Sequence, residues 1–185
     1  MNYLHHQWNR MAVITTLVEK SPGQMLGHTG IMKLAYFLQE LKQVPLGYDF
    51  RMHFYGPYDS EVLSDLKYAE SLQFLKSEVE LFSKGYRYKV TPGPLTPLIH
   101  EKGDAFVSKY NQEIGDIVRI FGAYQPSELE LLSTIHYTSA YLSSPSPVSM
   151  EEIAARVKAI KPHFSLAQIQ KQILWLRDRG FIQVR

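Results

Sequence analysis

The sequence contains no cysteine. The chain therefore forms no disulfide, no thiolate zinc site and no iron–sulfur cluster, and it has no cysteine nucleophile. Long apolar runs are missing too. Nowhere does the chain approach the roughly 18 consecutive apolar residues that a membrane-crossing helix needs. Residues Met1 to Lys20 mix charge and threonine into their apolar stretch, without the unbroken apolar segment and small-residue cleavage site of a signal peptide. The expectation that follows is a cytoplasmic protein with no membrane partner. Charge of one sign is also scarce, the net charge being +2. Residues 1–144 hold 13 Lys/Arg against 15 Asp/Glu, while residues 145–185 hold 7 against 3. That basic C-terminal excess points towards nucleic acid or an acidic protein without requiring either.

Motifs of catalysis are absent as well. There is no Gly-x-x-x-x-Gly-Lys-Ser/Thr phosphate loop, no His-Glu-x-x-His pair and no Gly-x-Ser-x-Gly elbow. The seven histidines are scattered, with His5 and His6 adjacent and no other pair at a helical ligand spacing. Asp59, Glu61 and Asp65 cluster on one early helix turn, where they are expected to complement the positive N-terminal end of that helix. No catalytic residue, cofactor or metal ligand is expected from these patterns.

What is present is a globular composition, 45% hydrophobic and 21% charged, which excludes global disorder. A chain of 185 residues makes one generous domain or two small ones, burying about 70% of its surface. Apolar periodicity predicts a helix over Asn9–Lys20 stopped by Ser21-Pro22-Gly23. A stronger one follows from His28, with Thr29 as N-cap and Ile31, Leu34, Ala35, Leu38 and Leu41 along one face. Tyr48 to Tyr55 alternates and reads as a short strand, broken by Gly56-Pro57. Asp59 or Ser60 then caps a helix whose stripe is Val62, Leu63, Leu66, Ala69 and Leu72. Two alternating runs, Val79–Phe82 and Tyr86–Val90, joined by Ser83-Lys84-Gly85, predict a β-hairpin. Pro92, Pro94 and Pro97 mark a linker.

Beyond the linker, Asp104–Phe121 reads as one helix, ended by Gly122 in a left-handed conformation. Pro126-Ser127 opens a helix to about Leu142, and Ser143–Pro147 is a loop. Ser149–Glu152 and Ser165–Gln168 have the spacing of capping boxes, each starting a further helix. Gly180 ends the last, and Phe181–Val184 reads as a strand. The expected fold is mainly α with small β hairpins, arranged as two winged-helix-like units. Its expected divisions are residues 1–92, a connecting helical segment 93–126, and residues 127–185.

The segments Lys33-Leu34-Ala35-Tyr36-Phe37-Leu38-Gln39 and His53-Phe54-Tyr55-Gly56-Pro57-Tyr58, with Asp59-Ser60-Glu61-Val62 after them, resemble the YwgA-type proteins. The resemblance extends into Lys161-Pro162-His163-Phe164-Ser165 and the last helix. More distantly, the same segments are similar to the SocA-type or Panacea antitoxin domain. The resemblance implies a helical, winged-helix-like core used for protein–protein contact, with no catalytic residues to carry over.

Two classes of partner follow. The first is a protein, a toxin or regulated target, held through Lys33, Tyr36, Phe37, His53, Tyr55, Gly56, Pro57 and Tyr58; a rigid aromatic turn suits that role, although packed tyrosines with satisfied hydroxyls would look the same in sequence. The second is DNA, approached by the last helix through Gln168, Gln170, Lys171 and Gln172, with Arg177 and Arg179 beyond. That helix carries little charge in its leading half, and a solvated face is the plainer reading of it.

Overall fold

A computed structural model describes residues 3–21, 26–82, 85–142 and 148–185. The expectations at Pro22-Gly23, Ser83-Lys84 and Ser143–Pro147 fall outside those residues. The elements, in chain order, are α1 (Tyr3–Glu19), α2 (His28–Lys42), β1 (Arg51–His53), β2 (Gly56–Tyr58), α3 (Ser60–Ser71), β3 (Leu75–Phe82), β4 (Gly85–Pro92), α4 (Thr96–Lys109), α5 (Asn111–Phe121), α6 (Pro126–Leu142), α7 (Met150–Ile160) and α8 (Leu166–Asp178). The protein is thus mainly α with two small two-stranded sheets. It divides into two compact units. One is Met1–Phe50 with Tyr58–Gln125, the other Arg51–Pro57 with Pro126–Arg185.

In the N-terminal unit α1 is the central helix. Every residue from Arg10 to Val18 is buried, so its apolar pattern runs nearly all round rather than as a stripe. The hydroxyl of Thr16, caught inside, donates back to the Ala12 carbonyl at 2.8 Å. Helix α4 comes close to α1 because residue 103 is glycine. A Cβ there would stand 2.3 Å from that of Ala12. Helices α2 and α5 meet through Phe37 and Phe121, whose rings stack at 4.0 Å. In this unit α1, α2 and α3 are followed by the β3–β4 hairpin. The hairpin pairs antiparallel from Leu75↔Pro92 to Leu81↔Tyr86 and Phe82↔Gly85. Burial of Leu75 and Val90 anchors its base, while Val79, Leu81, Tyr86 and Tyr88 are exposed towards its tip.

Several expectations are corrected here. Helix α2 starts at His28 behind Gly27, with no side-chain cap, so Thr29 is not its N-cap. The stretch 93–126 is not a connector. Pro97 sits in the first turn of α4, Thr96 donates its hydroxyl to the Phe74 carbonyl at 2.7 Å, and buried Ile99 and Gly103 face inwards. The helix expected over 104–121 is two, parted at Tyr110. Gly122 is right-handed, at φ −63°; its N–H closes a last bond to Val118 at 2.8 Å and the chain turns on towards Pro126.

In the C-terminal unit α6 is the buried centre, with Leu129 to His136 covered and α7 and α8 packed on it and on each other. Both expected capping boxes form, Ser149 with Glu152 and Ser165 with Gln168. Gly180 ends α8 at φ +72°. Among the described residues, Phe181–Val184 forms a single parallel bridge, Val184 to Val148, in place of the expected strand. The β element of this unit is instead the Arg51–Pro57 segment. Gly56-Pro57 does not break a strand; it lies inside β2, since a proline is tolerated where a sheet has only edges.

Candidate protein-contact site

The turn between β1 and β2 is Phe54-Tyr55, and it is pinned from below. Gly56 has φ +86°, and a Cβ at that position would meet the Thr134 hydroxyl at 3.0 Å and that of Ser133 at 3.2 Å. Glycine is needed twice over, for the backbone conformation and for the close approach to α6. Pro57 is buried beside it. The carbonyl of Phe54 accepts a hydrogen bond from the Lys161 ammonium. That ammonium is also ion-paired to Glu130 at 2.7 Å, with the lysine side chain 2% exposed and the glutamate 10%.

Lys161 reaches this place because it follows Ile153 and Val157 on the buried face of α7, one residue before Pro162 ends the turn. The neighbouring Lys158 holds the corner between α7 and α8, donating to the carbonyls of Pro162 (2.7 Å) and Phe164 (2.8 Å). His163 stands 3.8 Å from Glu130 at the solvent side. A buried ammonium satisfied by a carboxylate and a turn carbonyl fixes one geometry, because any other arrangement leaves a charge unpaired in a poor dielectric.

Above this support two rings point outward. Phe54 is 83% exposed and Tyr55 70%, and the His53 ring meets that of Phe54 edge-on at 5.1 Å. Such large exposed rings on a fixed turn make this a candidate contact surface. Further along α6, Tyr141 is 73% exposed. Near it, Met52 of β1, Tyr137, Thr138, Tyr141, Arg156 and Ile160 line a groove of about 280 Å³. His136, on the inner side of α6, is buried, and that burial lowers its pKa to about 4.

The expected site residues separate into two groups. Lys33, Tyr36 and Phe37 are 1%, 2% and 0% exposed. The Tyr36 ring packs edge-on against Phe37 and Phe50. These three serve the core of the N-terminal unit and are not on a surface. His53 and Tyr55 are exposed, Gly56 and Pro57 are buried supports, and Tyr58 is half-buried. Phe54, Lys161 and Glu130 were not expected at the site. Lys161 had a signal, a charge in phase with Ile153 and Val157 on an otherwise apolar face. On α8, Gln170 and Lys171 are exposed and Gln172 is half-buried. Gln168 is occupied by its capping box, accepting the Ser165 N–H at 2.8 Å. Arg177 is paired with Asp178 at 2.8 Å, and Arg179 lies over the Trp175 ring at 4.0 Å.

The N-terminal unit has a buried charge cluster that the sequence reading placed elsewhere. Asp65 is 1% exposed and 2.7 Å from the Arg10 guanidinium; it does not serve the α3 N-terminus. Tyr48 donates its hydroxyl to Asp65 at 2.9 Å and Gln7 its amide at 3.3 Å. Glu61 takes the other side of Arg10 at 2.8 Å. Burial pushes the Asp65 carboxyl above its usual range, against the pull of Arg10 and of Tyr48. Burial, and then the charge of Asp65, push the Tyr48 phenol well above its own. Asp59 keeps the expected capping role, accepting from the Glu61 N–H at 2.8 Å, and Glu61 lies in the first turn of α3 as expected.

Fold and site together define a mainly α protein in which a short, rigidly held hairpin displays aromatic rings. No family model matches the chain. It is 29% identical over 122 residues to YwgA of Bacillus subtilis (strain 168), a protein described as uncharacterized. The match spans 62% of this chain and 66% of that protein, so just under two thirds of the relative's length is represented. This similarity supports the YwgA-type resemblance. Among the described residues, no helix is long and apolar enough to cross a membrane.

Proposed function

We propose that the chain is a non-catalytic protein-binding regulatory module, adaptor- or antitoxin-like, whose contact surface is the Phe54-Tyr55 turn of the C-terminal unit. The observation that carries this reading is the exposure of those rings, 83% and 70%, on a backbone tied down by the buried Lys161–Glu130 pair. Aromatic anchors supply much of the energy of protein interfaces. A turn already fixed in one conformation loses little further freedom on binding. The partner is a toxin or another regulated protein.

The test is capture of partners from the source cell's lysate by the purified chain, at low and at moderate salt. The comparison is with Phe54→Ser/Tyr55→Ser and, as a control, with Leu81→Ser/Tyr86→Ser on the β3–β4 hairpin. A protein retained at both salts and lost only with the first pair supports the proposal. Loss only with the second pair moves the contact surface to the wing. Duplex DNA retained at low salt alone, and lost on changing Gln170 and Lys171, would replace this reading with a DNA-binding regulator acting through α8.

A further inference from the structure

The β3–β4 hairpin keeps its apolar and its charged residues on opposite faces. Its register sets Val79 against Tyr88 and Leu81 against Tyr86, and sets Glu78 against Lys89 and Glu80 against Arg87. Side chains alternate along a strand, so the first two pairs share one face and the last two share the other. The charged face is satisfied within the hairpin, where Glu80 pairs with Arg87 at 3.2 Å and stands 3.7 Å from Lys89. The apolar face is the one that begins in the core. At its base Leu75 and Val90 are buried, and the Val90 N–H donates to the Leu26 carbonyl at 3.0 Å. One step out, the His28 ring stacks on Tyr88 at 4.2 Å. Beyond that step the face is bare: Val79 is 57% exposed, Leu81 85% and Tyr86 63%, with Tyr88 still 39%.

Two features select what covers it. The first is charge. The face carries none, so nothing on it favours a partner of opposite sign. A two-fold axis, which sets a surface against its own copy, brings no like charges together here. The second is area. Side chains of these sizes and exposures leave roughly 500 Å² bare on one copy and about 1,000 Å² on two, the lower bound for a specific interface. Geometry then limits the arrangement. The buried base puts the body of the N-terminal unit on the same side of the ribbon as the apolar face. Two ribbons can therefore meet only tip past tip, each reaching towards the other's base.

We propose that this face is a homodimer interface, in which the apolar sides of two β3–β4 hairpins pack antiparallel about a two-fold axis level with Glu80 and Arg87. Leu81 then lies against Val79 of the second copy, and Tyr86 against Tyr88 of the second copy. The Tyr86 and Tyr88 rings, already edge-on at 6.0 Å within one hairpin, continue that packing across the axis. The dimer is independent of the Phe54-Tyr55 reading, which concerns the C-terminal unit.

The test is sedimentation equilibrium of the purified full chain over a wide concentration range, at low and at high salt. The average mass is expected to rise from one chain to two and level there, with little effect of salt because the contact is apolar. Leu81→Ser/Tyr86→Ser should raise the dissociation constant about tenfold or more. Leu81→Lys should raise it further, since the two-fold brings the new charge close to its own copy. Leu81→Met keeps size and apolarity and should keep the dimer, as should Glu78→Gln on the opposite face. The changed side chains are exposed, so the fold is retained, which the amide NMR spectrum of the remaining residues checks. On dilution, shifts should centre on residues 79–81 and 86–88. A single-chain mass at every concentration, growth beyond two copies, or a dimer indifferent to Leu81→Lys would overturn the proposal. A chain that stays monomeric when pure, yet loses a lysate protein with Leu81→Ser/Tyr86→Ser, would give the face to a different partner and overturn it as well. Retention of a partner lost only with Phe54→Ser/Tyr55→Ser is read separately, so either reading can fail without the other.

Discussion

Among the described residues each unit buries an ion pair, Arg10–Asp65 in one and Lys161–Glu130 in the other, and the two are used differently. Arg10–Asp65 joins α1 to α3, two elements of one core, and is wrapped by Gln7, Tyr48 and Glu61. Lys161–Glu130 joins the end of α7 to α6, and spends the remaining hydrogen-bonding capacity of the ammonium on the carbonyl of an exposed turn. A buried pair is a weak source of net stability, since desolvation offsets most of the Coulombic gain. What it supplies is a unique arrangement. In the N-terminal unit that arrangement is the helix packing itself. In the C-terminal unit it is the posture of two aromatic rings facing solvent. Under the proposed function the first pair serves folding and the second serves recognition.

The largest effect expected follows from breaking the first pair. Asp65→Asn leaves the Arg10 guanidinium, 4% exposed, with only the partly exposed Glu61, and should destabilise the N-terminal unit by about 3–5 kcal/mol. Lys161→Met should cost the C-terminal unit less, about 1–3 kcal/mol, because Glu130 keeps the more exposed His163 beside it. Hydrogen exchange under increasing denaturant reads the two units separately. Equal losses, or a larger one at Lys161, would break the comparison.

Next in size is a pH effect that His136 adds in the C-terminal unit. His136 has its folded pKa lowered from 6.5 to about 4 by burial. The unfolded chain therefore binds a proton in that interval that the folded chain refuses, and stability falls as pH drops from 6.5 towards 4. At about 1.4 kcal/mol per pH unit the loss is on the order of 3 kcal/mol. His136→Gln removes this dependence. Exchange stabilities of wild type and variant should converge by that amount across the interval, and parallel curves would refute it. Burial lowers His28 in the N-terminal unit as well, so that unit also loses stability as pH falls, and the dependence assigned to His136 is read from wild type against His136→Gln within the C-terminal unit.

Glycines of similar backbone conformation separate conformational from packing cost. Gly180 has φ +72° and open space around it, so alanine should cost only about 1 kcal/mol. Gly56 has φ +86° and α6 against it, so alanine should cost about 2–3 kcal/mol and lift the turn off its support. Thermal unfolding ranks the two, and equal costs would mean that the turn is not held from below.

Local features of the fold were legible in the sequence, and distant pairings were not. The two Ser-x-x-Glu/Gln boxes start α7 and α8 because a cap is decided within four residues. The β3–β4 hairpin was visible for the same reason, through alternation around one turn. Lys161 and the Phe54 carbonyl, by contrast, are 107 residues apart, and Arg10 and Asp65 are 55. Each charge lies in phase with an apolar stripe, Arg10 with Ile14 and Leu17, Asp65 with Val62 and Ala69. That phase marks a charge for burial without naming its partner. The same reasoning explains why Tyr36 and Phe37 read as contact residues: a familiar helix motif does not reveal which of its faces the rest of the chain will cover. The turn residues were half legible, since Gly56-Pro57 announces a rigid bend but not that the bend lies within a strand against α6.

The smallest effect on stability is expected at the rings themselves, and there the comparison is sharpest. Phe54 and Tyr55 are so exposed that serine in their place should change unfolding free energy by no more than about 0.5 kcal/mol. Lys161→Met leaves both rings present but frees the turn that carries them. If the pair in the C-terminal unit serves recognition, the serine variants and Lys161→Met should both lose the captured partner, the latter with a faster dissociation once the turn must be ordered on binding. Asp65→Asn, assayed where its unit stays folded, should keep the partner despite its larger thermodynamic cost. Retention by Lys161→Met alongside loss by the serine variants would assign the rings to the interface, and leave the buried pair with no role beyond holding α6 to the end of α7.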